Sequence, residues 1–101
     1  MVIAAVSVLP VGTKTSSLSS HVAKALRAAN KVVGLKYQLT AMGTIIEGDL
    51  DIVMAAIRQM HESLFDQDVQ RVVTTVVIDD RRDKRLTMDY KVESVLQKIE
   101  P

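Results

Sequence analysis

Few side chains in this sequence could do chemistry, and their types and spacing narrow the choice. There is no cysteine, which excludes a disulfide, a thiolate metal site and a cysteine nucleophile. His21 and His61 are the only histidines, and neither has a second histidine or a cysteine at ligand spacing. Both read as helix-edge residues, and no metal site is expected. Ser17, Ser19 and Ser20 have no G-x-S-x-G elbow around them and no base placed beside them. A serine at 16 or 17 reads better as a helix cap, its oxygen accepting a free backbone N–H of the first turn. The run Asp79-Asp80-Arg81-Arg82-Asp83-Lys84-Arg85 alternates in sign and reads as a solvated turn with local ion pairs. Glu47, set between Ile46 and Gly48, stands at the end of an apolar strand. General acid–base work needs a titratable pair. The chain offers none, so no catalytic residue is assigned and no enzyme is expected.

The elements that position these residues follow from periodicity. Val2 to Leu9 is an apolar, β-branched run closed by Pro10, and reads as a first strand buried on both faces. Leu18, Val22, Ala25, Ala29 and Val33 share one helical face, with Lys24, Arg27 and Lys31 off it and Gly34 as the stop. Tyr37, Leu39 and Ala41 alternate with polar residues as a second strand. Met42-Gly43 turns the chain, and Thr44 to Glu47 forms a third strand. Asp49 or Asp51 caps a helix whose stripe is Leu50, Val53, Ile57, Met60 and Leu64. Phe65 to Gln70 is its exit. Arg71 to Asp79 is the strongest strand pattern, and Asp89 is expected to cap a last helix bearing Val92, Val95, Leu96 and Ile99.

The order β-α-β-β-α-β plus a C-terminal helix, joined by right-handed crossovers, gives an α+β fold. It is a ferredoxin-like sandwich with antiparallel sheet order 4-1-3-2 and both main helices on one face. One domain spanning 1–101 is expected. In this topology the segment Pro10 to Ser20 is expected to approach Glu47 and Gly48. Small hydroxyls, free N–H groups and a carboxylate would then converge, and a carboxylate suits an amino-pyrimidine or a cation. The first and last strands are apolar on both faces, yet two helices cover only one. A bare apolar face is rare on a small monomer, so a second subunit is expected to pack there, sheet to sheet.

Charge and composition exclude several classes. The net charge is +1, but residues 1–46 carry five basic and no acidic side chains, and residues 47–70 carry six acids against Arg58. Basic and acidic helices are expected to meet, within the chain or across an interface. An RNA-binding sheet of this fold displays aromatics on its central strands. Only 3% of this chain is aromatic and its first and last strands carry none, so no nucleic-acid partner is expected. An acylphosphatase-like enzyme would need an arginine-bearing phosphate loop after the first strand. MVIAAVSVLP lacks a basic lead-in and is cut short by Pro10, so neither a signal peptide nor a membrane span is expected. A cytoplasmic location is.

Several pieces together resemble a known family. They are Pro10-x-Gly12, Ser17-x-Ser19, Tyr37-x-Leu39-x-x-Met42-Gly43-Thr44-x-Ile46-Glu47-Gly48-Asp49, Arg71-Val72 and Lys91-Val92. The pattern is similar to that of the thiamine-binding protein family over almost the whole chain, with M-G-T-x-I-E-G as its specific core. The resemblance implies a ferredoxin-like fold, dimers paired through their sheets and tetramers built from them. It implies non-catalytic binding of thiamine or its hydroxymethylpyrimidine part, with no separate cofactor. By the same resemblance the pocket would involve Ser17 and Ser19 at the helix start with Thr44, Ile46 and Glu47 on the strand. The alternative is an ACT-like regulatory or assembly domain that binds another small metabolite at a subunit interface.

Overall fold

The structure is a computed structural model that describes residues 1–13, 18–85 and 87–99. Its elements run β1 (Val2–Pro10), α1 (Ser19–Asn30), β2 (Lys36–Thr40), β3 (Gly43–Gly48), α2 (Leu50–Ser63), β4 (Val72–Asp80) and α3 (Met88–Ile99). The sheet order is β2-β3-β1-β4 with every neighbouring pair antiparallel, the ferredoxin-like arrangement that the element order predicts.

Alternation along the strands divides the sheet into two unlike faces. Val2, Ala4 and Val6 of β1 are buried under the helices with Ile46 of β3. The helices answer with Ala25 and Ala29 from α1, and with Val53, Ala56 and Met60 from α2. Two alanines at the α1 contact let its backbone come close. Leu64, fully buried just after α2, completes this core. On the opposite face Leu9 is 42% exposed, Val73 43% and Val77 66%. The two-sided apolar pattern of β1 and β4 thus leaves one oily face uncovered within the chain.

Several local readings change. α1 ends at Asn30, and Gly34 (φ 88°) serves the following turn rather than the helix end. Val33 therefore leaves the apolar stripe and is 90% exposed. Leu18 stands at the N-cap of α1 without a side-chain cap; the expected cap, Ser16 or Ser17, lies outside the described residues. The hairpin loop is Ala41-Met42 rather than Met42-Gly43, because Thr40 pairs with Gly43 across it. The Thr40 hydroxyl closes this loop: it donates to the Gly43 carbonyl at 2.7 Å and accepts the Met42 N–H at 3.2 Å. Gly43 itself has φ 142°, and a Cβ there would sit 2.9 Å from the Val6 carbonyl oxygen.

The last helix is capped by Thr87, not Asp89. The Thr87 hydroxyl accepts the Tyr90 N–H at 3.1 Å and its carbonyl accepts the Lys91 N–H. Asp89 lies inside the first turn, where its carboxylate still suits the positive end of the helix. After α2 the chain turns on Asp66, whose carboxylate accepts the Asp68 and Val69 N–H groups at 2.8 Å each. That turn drops Val69, 2% exposed, into the interior ahead of β4.

Candidate functional site

The antiparallel pairing of β1 and β3 decides where the candidate residues fall. Val6 stands opposite Thr44, while Ile3 stands opposite Glu47. The end of β1 therefore meets the start of β3, not its end. Pro10 and the entry to α1 lie at the Gly43–Thr44 end of the sheet. Among the described residues of Pro10–Ser20 the expected approach to Glu47 does not form, because an antiparallel partner runs the other way.

Thr44, 4% exposed, lies on the helix-covered face. It lines a cavity of about 330 Å³ between the start of α1 and the β2–β3 hairpin. Leu18, Val22 and Ala25 of α1 form one wall, Leu39 to Gly43 another, and Val6, Val8 and Met60 the floor. The lining is mostly apolar, with the hydroxyls of Thr40 and Thr44 on the hairpin side. Such a volume, with few polar groups, is the usual build of a small-molecule pocket. Ser19 begins α1 next to Leu18, which lines the cavity, but is not itself among the lining residues. Ser17 lies outside the described residues. Ile46 follows Thr44 on the same face but is fully buried in the core and does not line the cavity.

Glu47 does not join them. It projects from the opposite face of β3, is 5% exposed, and accepts the Met88 N–H at 2.6 Å. Lys36, Glu47, Ile3 and Asp79 form one row across all four strands. The first turn of α3 is fastened along that row: Asp89 pairs with Lys36, the Met88 amide with Glu47, and Lys91 with Asp79 at 2.5 Å. The Asp89 hydrogen bond holds the Lys36 ammonium above its ordinary pKa. Nothing local in the sequence marks this arrangement, since its partners lie as many as 53 positions apart.

The other candidates keep modest roles. His61 Nδ1 is 2.6 Å from the Thr74 hydroxyl, and its ring meets Phe65 edge-on, which ties α2 to β4. His21 has its Nδ1 buried without a hydrogen-bond partner among the described residues. Among those residues no group of three or more His, Asp or Glu could hold a metal ion. A wider hollow of about 680 Å³ opens by Asp49, Asp80 and the β4–α3 turn. Two of its arginines are engaged, Arg81 with Asp83 and Arg82 with Asp80, and each carboxylate raises its arginine's pKa. The alternating run thus forms the local ion pairs expected of it. Lys24 and Asp66, 3.6 Å apart, are one place where the basic and acidic blocks meet. No helix among the described residues is long and apolar enough to cross a membrane.

The profile of the thiamine-binding proteins matches residues 4–96. The chain belongs to that family. It is 44% identical to the UPF0045 protein YqgV of Bacillus subtilis over 104 residues, covering all of both chains. It is also 44% identical to a UPF0045 protein of Methanothermobacter thermautotrophicus, over 98% of this chain and all of that one. The crystal structure of the hypothetical protein MJ1052 from Methanocaldococcus jannaschii superposes with a TM-score of 0.85 at 38% identity, covering 95% of this chain and 96% of that one. A Thermotoga maritima protein with a provisional thiamine biosynthesis or salvage name superposes at 0.73 and 22% identity, covering 93% and 97%. At that identity the likeness is one of fold.

Proposed function

We propose that this protein binds thiamine or its hydroxymethylpyrimidine part without chemistry, in the cavity between the start of α1 and the β2–β3 hairpin. The observation that carries the proposal is the 330 Å³ cavity with Thr44 in its wall, in a chain of the thiamine-binding family. A flat pyrimidine fits an apolar slot, and the Thr44 hydroxyl would supply a hydrogen bond to a ring nitrogen or an exocyclic amine, the Thr40 hydroxyl being used in closing the hairpin. Glu47 is reassigned from ligand to scaffold because its carboxylate is committed to α3 on the other face. Ser17 and Ser19 remain proposed ligand residues on the family resemblance.

The working unit in this proposal is a homo-oligomer, paired through the open sheet faces and assembled further into a tetramer. A cysteine-free chain suits the reducing cytoplasm. A second reading, a regulatory domain taking a metabolite between subunits, is favoured by a separate hollow of about 260 Å³ on the open face beside Ser7, Thr75 and Val77. Calorimetry with thiamine and with hydroxymethylpyrimidine tests the first reading. Saturable heat with either ligand supports it. No heat and no thermal shift at millimolar ligand would refute it.

A further inference from the structure

One residue of β1 turns both of its backbone hydrogen-bonding groups into the cavity with no strand to meet them. In an antiparallel ladder the N–H and C=O of one residue point to the same side, and successive residues alternate sides. Just after β1 the Val11 N–H donates to the Arg71 carbonyl at 2.8 Å. Counting back by twos, Leu9 and Ser7 therefore address β4, where Val73 and Thr75 face them. Val6 and Val8 address the other side, and the Val6 carbonyl accordingly lies close against Gly43 of β3.

The pairing of β1 with β3 stops at Val6 and Thr44. The residue that would face Val8 is Met42, which belongs to the hairpin loop and gives its N–H to the Thr40 hydroxyl. β1 itself runs on beside β4 as far as Pro10. Among the described residues the N–H and C=O of Val8 thus have no partner beyond the hairpin. Pro10, the next residue to point that way, has no N–H, which is where a strand tolerates proline. Val8 is also half-buried against the core and lines the cavity of about 330 Å³ with Thr40 to Thr44.

Resting on the cavity reading of the preceding section, we infer that the Val8 backbone recognises the ligand, and that the class it selects is a ring nitrogen beside an exocyclic amine. The two groups of Val8 form the closely spaced donor and acceptor that a facing strand residue would meet with its own acceptor and donor. An aminopyrimidine edge offers the same complement. Its ring nitrogen accepts the Val8 N–H, and its amine donates to the Val8 carbonyl, so the ligand fills the ladder place that Met42 leaves empty. The second amine hydrogen and the other ring nitrogen stay open to the Thr44 hydroxyl. A pyrimidinone, with a ring N–H beside its carbonyl, sets donor against donor and acceptor against acceptor. An added peptide strand does not suit this edge, because Val8 alone offers both groups and Pro10 supplies no donor.

Titration calorimetry of wild type with hydroxymethylpyrimidine and with its deaminated, oxo analogue tests the inference. The amine form is expected to bind roughly 10- to 100-fold tighter, the scale of hydrogen bonds left unmade in a shielded site. Equal affinity for the two overturns recognition by Val8 and leaves the cavity reading standing. Absence of binding by either overturns both. Val8→Pro removes the N–H and is expected to weaken binding of hydroxymethylpyrimidine by about tenfold or more. Ser7→Pro, which removes an N–H aimed at β4, is the stability comparison and should melt well below Val8→Pro. A Val8→Pro chain that binds like wild type, or that melts as low as Ser7→Pro, overturns the inference.

Discussion

Replacing Glu47 with Ala asks whether this carboxylate holds the fold or holds a ligand. The side chain is 5% exposed and accepts the Met88 N–H at 2.6 Å, a donor that the first turn of a helix cannot pair by itself. A hydrogen bond to a charged group contributes about 1.5–3 kcal/mol. Alanine also removes the chain atoms that fill the space under α3, so we expect a loss of about 2–3 kcal/mol. For a domain of this size that is a fall in Tm of roughly 8–24 °C, from about 4–8 °C per kcal/mol. Gln keeps an oxygen acceptor and loses only the charge, so Glu47→Gln should cost about half as much. Thermal melts at one fixed protein concentration measure both. Hydrogen exchange at Met88 to Lys91 locates the effect, and these amides should lose protection first in Glu47→Ala. If Glu47→Ala melts with the wild type, or if α3 protection is unchanged, the fastening of α3 through Glu47 is wrong.

Other predictions follow from single contacts. Gly43→Ala forces a Cβ against the Val6 carbonyl at φ 142° and should cost about 1–3 kcal/mol in the same melts. An unchanged Tm would contradict the close approach of β3 to β1. Leu64→Ala empties a fully buried site at the end of α2 and should cost about 2–5 kcal/mol in a denaturant titration; a loss under 1 kcal/mol would contradict that burial. The Asp68 and Val69 amides, then Lys24, hold the Asp66 carboxyl below its ordinary pKa of 3.8. Its contribution is therefore present above pH 3.8 and lost as pH falls through the lower folded value. Asp66→Asn should be less stable than wild type near pH 6 and converge with it near pH 2. A gap that stays constant with pH would refute the assignment.

The sheet order was legible because apolar alternation and β-branched runs carry it: Val2–Leu9 and Arg71–Asp79 could be little else. The uncovered face was legible for the same reason, since a strand apolar on both sides in a two-layer fold must show one of them. Helix ends were less so. Val33 continues a perfect apolar spacing, but Lys31 and Val32 already close the helix by turning back on Ala28 and Ala29. Thr87 and Asp89 were both acceptable caps, and which one served depended on where α3 meets the sheet. The motif M-G-T-x-I-E-G spans residues that the strand sends to two different faces. Alternation along β3 sends Thr44 to the cavity and Glu47 to the opposite face. Reading the motif as one site overlooked that period of two and the antiparallel sense of β1 and β3.

Titration calorimetry of hydroxymethylpyrimidine into wild type, Thr44→Val and Glu47→Gln tests the placement of the site most directly. Thr44→Val keeps the shape and removes one hydroxyl worth about 0.5–1.5 kcal/mol, so affinity should fall by roughly 2- to 12-fold. Glu47→Gln, altered only on the far face, should bind within about twofold of wild type. Undiminished binding by Thr44→Val together with lost binding by Glu47→Gln would put the ligand on the other side of the sheet and contradict the account.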